Sequence, residues 1–315
     1  MKISIIAPIC NEEETIPRLY AAVKKVIDKL PYESEIILVN DGSTDNSLEA
    51  LKKIAREDNR FKIINFRRNF GQTAATAAGF DAASGDLIIR MDADLQNDPE
   101  DIPMMIKEIE NGYDIIKGWR KNRKDKTITR KIPSIIANWL INKVTGVKIH
   151  DNGCALEVYR KEVAKEINLY GDLHRFIAIL GYWRGANIKE VVVRHHPRRL
   201  GKTKYGLSRT LKVLLDLITI KFLLSYSTRP IQLFGKWGLF FFGIGFIIFI
   251  YLVFGWLFLG HSLAARPLLI IDVFIMLTGI QLIILGLIGE MITRTYYESQ
   301  KRTIYSIREK INFKD

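Results

Sequence analysis

Asp92 and Asp94 stand one residue apart at the end of a short apolar run, Leu87, Ile88, Ile89 and Met91. Two carboxylates at the carboxyl end of a buried strand repel each other, and a cation between them relieves the repulsion. A hard divalent ion, Mg²⁺ or Mn²⁺, takes such oxygen ligands and keeps positions open for substrate phosphates. Asp-x-Asp alone is also an ordinary acidic loop. Its position matters more, because open α/β sheets bind ligands beyond the carboxyl ends of their strands. Asp98-Pro99-Glu100 follows as a helix start, with Asp98 as the cap and Pro99 at the first helical position.

Other polar residues fall at comparable places. Asp41 ends a second apolar run and suits hydrogen bonding to a base or ribose, while Pro8 to Glu12 forms a polar turn after a first. Three such strand ends side by side make one crevice for a nucleotide diphosphate and its ion. A leaving nucleoside diphosphate gains negative charge as its bond to sugar breaks, and a metal stabilises that charge as a Lewis acid. For the acceptor, Arg120, Arg130, Arg198 and Lys204 flank the membrane-like part of the chain. Guanidinium groups grip phosphate bidentately, so a lipid phosphate fits them, although some of these bases serve only to attract anionic headgroups. A phosphate oxygen is already ionised at neutral pH and needs no strong general base. Asp151 and Asp172 are candidates for that role by sequence position only.

Residues 2–9, 35–39, 61–66, 87–91, 113–117 and 188–194 read as strands, with helical periodicity between the first five. This alternation gives βαβ units and a mostly parallel sheet with right-handed crossovers. Neither a G-x-G-x-x-G nor a P-loop sequence appears. Ile132 to Val144 and Ser208 to Tyr226 carry apolar residues at helical spacing among basic ones, as interfacial helices do. Cys10 and Cys154 suggest reduced thiols, and His195-His196 has no ligand-spaced partner for zinc.

Trp237 to Leu259 contains no charged residue and is about 34 Å long as a helix, enough to span a bilayer. Pro267 to Gly289 is a second span. Its single acid, Asp272, is expected near the interface, with its carboxyl snorkelling to water. The short connection, residues 260–266, holds one basic residue, Arg266; the outer flanks hold Lys221, Arg229 and Lys236, then Arg294, Lys301, Arg302, Arg308, Lys310 and Lys314. The positive-inside rule therefore puts both termini and the catalytic part in the cytoplasm of a multi-pass cell (inner) membrane protein. The net charge of +13 suits an anionic membrane surface better than nucleic acid, because the bases gather near membrane elements. Glycines 243, 245, 279, 286 and 289 permit close helix packing, within the hairpin or in a homo-oligomer.

The segments Ala7-Pro8-Ile9-Cys10-Asn11-Glu12-Glu13, Val39-Asn40-Asp41-Gly42-Ser43-Thr44-Asp45, Arg68-Asn69-Phe70-Gly71-Gln72 and Asp92 to Glu100 resemble family 2 glycosyltransferases of GT-A fold. More narrowly, the chain is similar to polyisoprenyl-phosphate glycosyltransferases. Arg198-Arg199-Leu200-Gly201-Lys202-Thr203-Lys204 resembles their R-x-x-G-x-[ST]-K loop, and Asp151-Asn152-Gly153-Cys154 is closest to the formamido-arabinose type. The resemblance implies a GT-A domain over 1–200, an interfacial region over 201–233, a two-helix hairpin over 234–290 and a cytoplasmic tail over 291–315. It implies that Pro8, Glu12 and Asp41 contact the nucleotide and that Asp92, Asp94 and Gln96 hold the metal and diphosphate. Arg120, Arg130, Ser134 and Arg198 would meet the acceptor phosphate, with Lys204 near the phosphates. The implied reaction is inverting transfer of a hexose, glucose or a relative, from a UDP- or GDP-sugar to a polyprenyl phosphate. A processive polysaccharide synthase on this fold would carry a Q-x-x-R-W motif, which is missing here. A non-catalytic binder of nucleotide sugars or lipids would have no need of the Asp92/Asp94 pair.

Overall fold

The computed structural model describes residues 1–121, 138–139, 141–143, 145–169, 173–197, 230–259, 267–299 and 304–313. They fall into two compact units, a sheet domain that includes residues 304–313 and a pair of long helices.

The sheet domain runs β1 (Lys2–Ile9), α1 (Ile16–Ile27), β2 (Glu33–Asn40), α2 (Ser47–Glu57), β3 (Phe61–Phe66), α3 (Gln72–Ala82) and β4 (Leu87–Arg90). After a 3-10 turn (Pro99–Asp101) come α4 (Ile102–Glu110), β5 (Ile115–Trp119), β6 (Glu157–Arg160), α5 (Lys161–Glu166), α6 (Ile177–Trp183) and β7 (Ile188–Val192). The strand order is β7-β5-β6-β4-β1-β2-β3, with one further strand beyond β3, β8 (Ile307–Ile311). β4, β1, β2 and β3 are mutually parallel, as alternation of strand and helix requires. β6 enters antiparallel between β4 and β5, and β8 pairs antiparallel with β3. Neither was expected from the sequence, and the segment read as a tail thus contributes the edge strand of the sheet.

The central strands are apolar on both faces because helices cover both. Ile3, Ile5, Ile36, Leu38, Ile63 and Ile89 join one core with Leu19, Val23, Leu51, Met105, Ile106 and Ile109 from α1, α2 and α4. On the other face α3 lies close to β1. A side chain at Gly79 would meet Ile6 Cγ2 at 2.2 Å, so the alanine-rich helix needs a glycine there. The strand ends are thereby fixed relative to one another.

The second unit is an antiparallel pair, α7 (Pro230–Leu259) and α8 (Pro267–Ser299). Phe234–Phe258 and Pro267–Gly289 are long and apolar enough to cross a membrane. Gly238 packs on the Gly279 carbonyl oxygen and Ile283, and Gly245 on Met276 and Asp272, so the hairpin itself uses three of its glycines. Asp272 departs from expectation. It is fully buried between the helices, its Oδ1 3.4 Å from the place a Gly245 side chain would occupy. The glycine opens a gap that an acidic side chain fills, and snorkelling is not used. Ser208 to Tyr226 lies outside the described residues, as does most of Ile132 to Val144.

Candidate active site

β1, β2 and β4 end at one edge of the sheet, and each delivers a polar turn. Asp92 follows β4 by two residues and is half-buried. Its Oδ1 accepts a hydrogen bond of 2.8 Å from Gln72 Nε2, at the first turn of α3. Burial pushes the Asp92 carboxyl above the usual range and the Asp94 charge adds to this, while Arg90 and Arg120 pull it down. Leu95 has a positive φ of 55°, and that turn brings the Gln96 amide back to donate to Asp94 Oδ1 at 3.1 Å. Asp98 caps the following turn as expected, accepting from the Glu100 amide at 3.0 Å. A cavity of about 240 Å³ beside this loop is lined by Arg18, Asp94, Asn97, Asp98 and His196, among others.

Asp41 is placed differently. It is 2% exposed and its carboxylate faces the turn before α3, accepting from Phe70 N at 2.7 Å and from Gly71 N at 3.0 Å. Gly42 makes the approach feasible. Its φ is +61°, and a side chain there would lie 2.3 Å from the Arg68 backbone. Glu12 lies at the start of α1, its Oε2 accepting from Thr15 Oγ1 at 2.7 Å and its amide donating to Ser47 Oγ at 2.9 Å. Pro8 is in β1, paired with Val39. The structure thus brings Pro8, Glu12, Asp41, Asp92, Asp94 and Gln96 to the same edge of one sheet.

Arg120 follows β5 and is buried. Its Nε donates to Asp151 Oδ2 at 2.7 Å and its Nη2 to Asp151 Oδ1 at 2.9 Å, a bidentate pair. Arg120, the expected acceptor-phosphate ligand, is thus paired with Asp151, the candidate base. Arg130, Ser134, Asp172, Arg198 and Lys204 lie outside the described residues.

Several supporting residues escaped sequence reasoning. Beneath Asp92, Glu157 of β6 accepts from Arg90 Nη1 at 2.9 Å and Tyr159 OH at 2.7 Å and pairs with the Lys117 ammonium, all fully or nearly fully buried. Burial disfavours the Glu157 charge, but Lys117 and Arg90 outweigh it and hold the carboxyl below its usual range. Two cations against one anion leave a positive charge under the carboxylate pair, suited to holding Asp92 and Asp94 near each other. Burial pushes the Cys154 thiol up to about 11, so it stays neutral and accepts from Asn97 Nδ2 at 3.3 Å. The segment after β7 is strapped to the loop: Asn97 bridges His195, His196 N donates to Gln96 O at 2.9 Å, and the His196 ring lies 3.1 Å from Asp98 Oδ2. Among the described residues no group of three or more His, Cys, Asp or Glu forms a metal cage. Two carboxylate donors beside an open edge still fit a divalent ion that completes its shell with substrate phosphate oxygens.

Residues 4–168 match glycosyl transferase family 2. The chain belongs to this family. It is a glycosyltransferase of GT-A fold, and its sequence relatives extend the likeness to the whole chain. It is 44% identical to a dodecaprenyl-phosphate galacturonate synthase of Rhizobium johnstonii, over 98% of this chain and 93% of that one. It is 36% identical to an undecaprenyl-phosphate 4-deoxy-4-formamido-L-arabinose transferase of Proteus mirabilis, over 99% and 95%. In fold it resembles glucosyl-3-phosphoglycerate synthase of Mycobacterium tuberculosis, solved with Mn²⁺ and UDP-glucose. That match has a TM-score of 0.56 at 16% identity, over 70% of this chain and 78% of that one.

Proposed function

We propose that this glycosyltransferase moves a hexose from a nucleotide diphosphate sugar to a polyprenyl phosphate at the cytoplasmic face of a membrane. The observation that carries the reading is the Asp92/Asp94 pair at the end of β4, beside the Asp41 and Glu12 turns, in a chain that also holds two membrane-length helices. The two relatives, named for dodecaprenyl- and undecaprenyl-phosphate products, support the acceptor class. Their sugars, galacturonate and formamido-arabinose, make an acidic or otherwise modified sugar as strong a candidate as glucose. The higher identity of the first puts UDP-galacturonate ahead as donor.

The lipid phosphate oxygen attacks the anomeric carbon in line. The bond from that carbon to the diphosphate breaks, and the nucleoside diphosphate leaves with the electron pair. An α-linked donor therefore gives a β-linked lipid-phosphate sugar. No proton need be removed from the nucleophile. Asp92 and Asp94, with Gln96, would hold Mg²⁺ or Mn²⁺, which when bound supplies Lewis-acid stabilisation of the departing diphosphate. Gln72 orients Asp92, and the buried Arg90–Glu157–Lys117 group keeps two like charges tolerable at one strand end. Arg120, Arg130, Ser134 and Arg198 are assigned to the acceptor phosphate by motif, with Lys204 near the phosphates. Pairing of β8 with β3 supports both termini lying on one side of the membrane, because residues before and after the hairpin join a single sheet. Positive flanks make that side the cytoplasm.

The test is a transfer assay with purified protein, undecaprenyl phosphate and labelled UDP-galacturonate, UDP-glucose and GDP-mannose, with and without EDTA. A glycosyl-phosphoryl lipid formed only with metal is expected, from UDP-galacturonate before the others. Absence of lipid product from every donor would overturn the reading.

A further inference from the structure

β8 follows the membrane helices, yet a side chain of that strand ends a polar row that leads to the donor crevice. Asn40 of β2, Asn65 of β3 and Glu309 of β8 are register partners across three adjacent strands. Asn65 Nδ2 donates to Glu309 Oε1 at 2.9 Å, and Asn40 Nδ2 donates to Asn65 Oδ1 at 2.8 Å. Asn40 Oδ1 then accepts from Ser43 Oγ at 2.6 Å, and Ser43 Oγ accepts from the Asn11 amide at 3.0 Å. Asn11 Oδ1 in turn accepts from the Thr44 amide at 2.8 Å. The row therefore ends where the turns after β1 and β2, which carry Glu12 and Asp41, are tied together. Asn40 and Asn65 are 2% and 3% exposed, so water cannot readily substitute for a lost partner.

The direction of the row is set from its outer end. A carboxylate only accepts, so Glu309 forces the amino group of Asn65 outward. That leaves Asn65 Oδ1 for Asn40, and leaves Asn40 Oδ1 for Ser43. Reversing Asn65 would set its oxygen against the Glu309 carboxylate and its amino group against that of Asn40, and reversing Asn40 would point a donor at the Ser43 backbone amide, itself 3.4 Å from Asn40 Oδ1. β8 has other anchors. Tyr305 stacks on Phe66, Arg67 N donates to Ser306 O, and Asn312 Nδ2 donates to Ala55 O and Phe61 O. Removing the Glu309 side chain leaves these in place.

We propose that Glu309 is a positioning residue of the donor site, acting through Asn65 and Asn40 to orient the Ser43–Thr44 turn. This rests on the crevice being where the sugar nucleotide binds. The test compares Glu309→Gln, which keeps an acceptor oxygen, with Glu309→Ala and with Glu309→Lys, which offers only donors. KM for the donor should be nearly unchanged in Glu309→Gln and rise about fivefold to tenfold in Glu309→Ala. It should rise further in Glu309→Lys, with KM for polyprenyl phosphate unchanged throughout. Hydrogen exchange at the Ser43 and Thr44 amides should quicken in the same order. Lys52→Met removes the 3.5 Å ion pair to Glu309 but spares the row, and should leave donor KM alone. Equal effects of Gln and Ala, a Lys52→Met effect as large as that of Glu309→Ala, or unaltered exchange at Ser43 and Thr44 would overturn the proposal. If the unmodified protein bound no sugar nucleotide, the donor-site reading would fall, and exchange at those amides would still decide whether Glu309 orients the turn.

Discussion

Asp41 and Asp92 both stand just past the ends of parallel strands, and the protein treats them in opposite ways. Asp41 turns its carboxylate into the protein, onto the amides of Phe70 and Gly71. Asp92 receives a side-chain hydrogen bond from Gln72, lies next to Asp94, and has its carboxyl pushed up by burial. Backbone amides that satisfy a carboxylate stabilise the fold and set the shape of a turn. A carboxylate crowded by another of like charge is held in a poorer environment that a bound cation would improve. On the proposed function, two acids with equivalent places in the topology thus divide into one that builds the crevice and one that works in it.

Substitution by asparagine separates the two. Asp92→Asn should lower transfer by about 10²–10³-fold, the range seen when one electrostatic stabiliser is lost from an active site. Its melting temperature should stay level or rise, since a like-charge contact disappears. Asp41→Asn keeps an oxygen for the Phe70 amide but points an amino group at the Gly71 amide, and it weakens charge-assisted bonds worth about 1.5–3 kcal/mol each. Its melting temperature should fall by several degrees, and donor KM should rise about tenfold as the turn before α3 shifts. A stable, inactive Asp41→Asn beside an unstable, active Asp92→Asn would reverse the assignment. Gln72→Ala sharpens the contrast. It leaves Asp92 in place but unoriented, so turnover should drop about tenfold with little change in melting temperature, read in the same lipid-extraction assay.

The parallel half of the sheet was legible because its signals are local. β1 to β4 are short apolar runs bounded by turn residues, and the helices between and after them show their buried faces as Leu51 and Ile54, or Met105, Ile106 and Ile109. The Asp92-to-Glu100 loop was legible for the same reason, down to the Asp98 cap. What escaped notice depends on partners far away in sequence. β6 reads Glu-Val-Tyr-Arg, an unpromising strand until Arg90 and Lys117 neutralise Glu157 from β4 and β5. β8 reads Ile-Arg-Glu-Lys-Ile, and its alternation was visible, but basic residues after a membrane helix suggest a solvated tail. Nothing in the sequence shows that Arg120 pairs with Asp151, thirty-one residues later. Asp272 looked interfacial because only the packing of α7 on α8 places Gly245 against it.

A third carboxylate extends the comparison along a single strand. Glu35 lies near the start of β2, at the opposite end from Asp41 and away from the crevice. It accepts from Ser4 Oγ at 2.6 Å, Ser84 N at 2.7 Å and Lys62 Nζ at 2.6 Å. Burial opposes its charge, but Lys62, Ser4 and Ser84 prevail and bring its carboxyl down to about 2. A folded-state value below the unfolded one of about 4.3 contributes stability that is present above that pH and is lost as pH falls towards 2. Glu35→Gln should therefore lower the melting temperature by about 2–4 °C at pH 7. The gap from the unmodified protein should narrow through pH 4 and close near pH 2. Transfer at pH 7 should be unaffected at temperatures below the transition, since the crevice is built from the other end of the strand. Loss of transfer in a folded Glu35→Gln would mean that the two ends of β2 are coupled, and that saturating a carboxylate with hydrogen bonds does not confine its role to the structure around it.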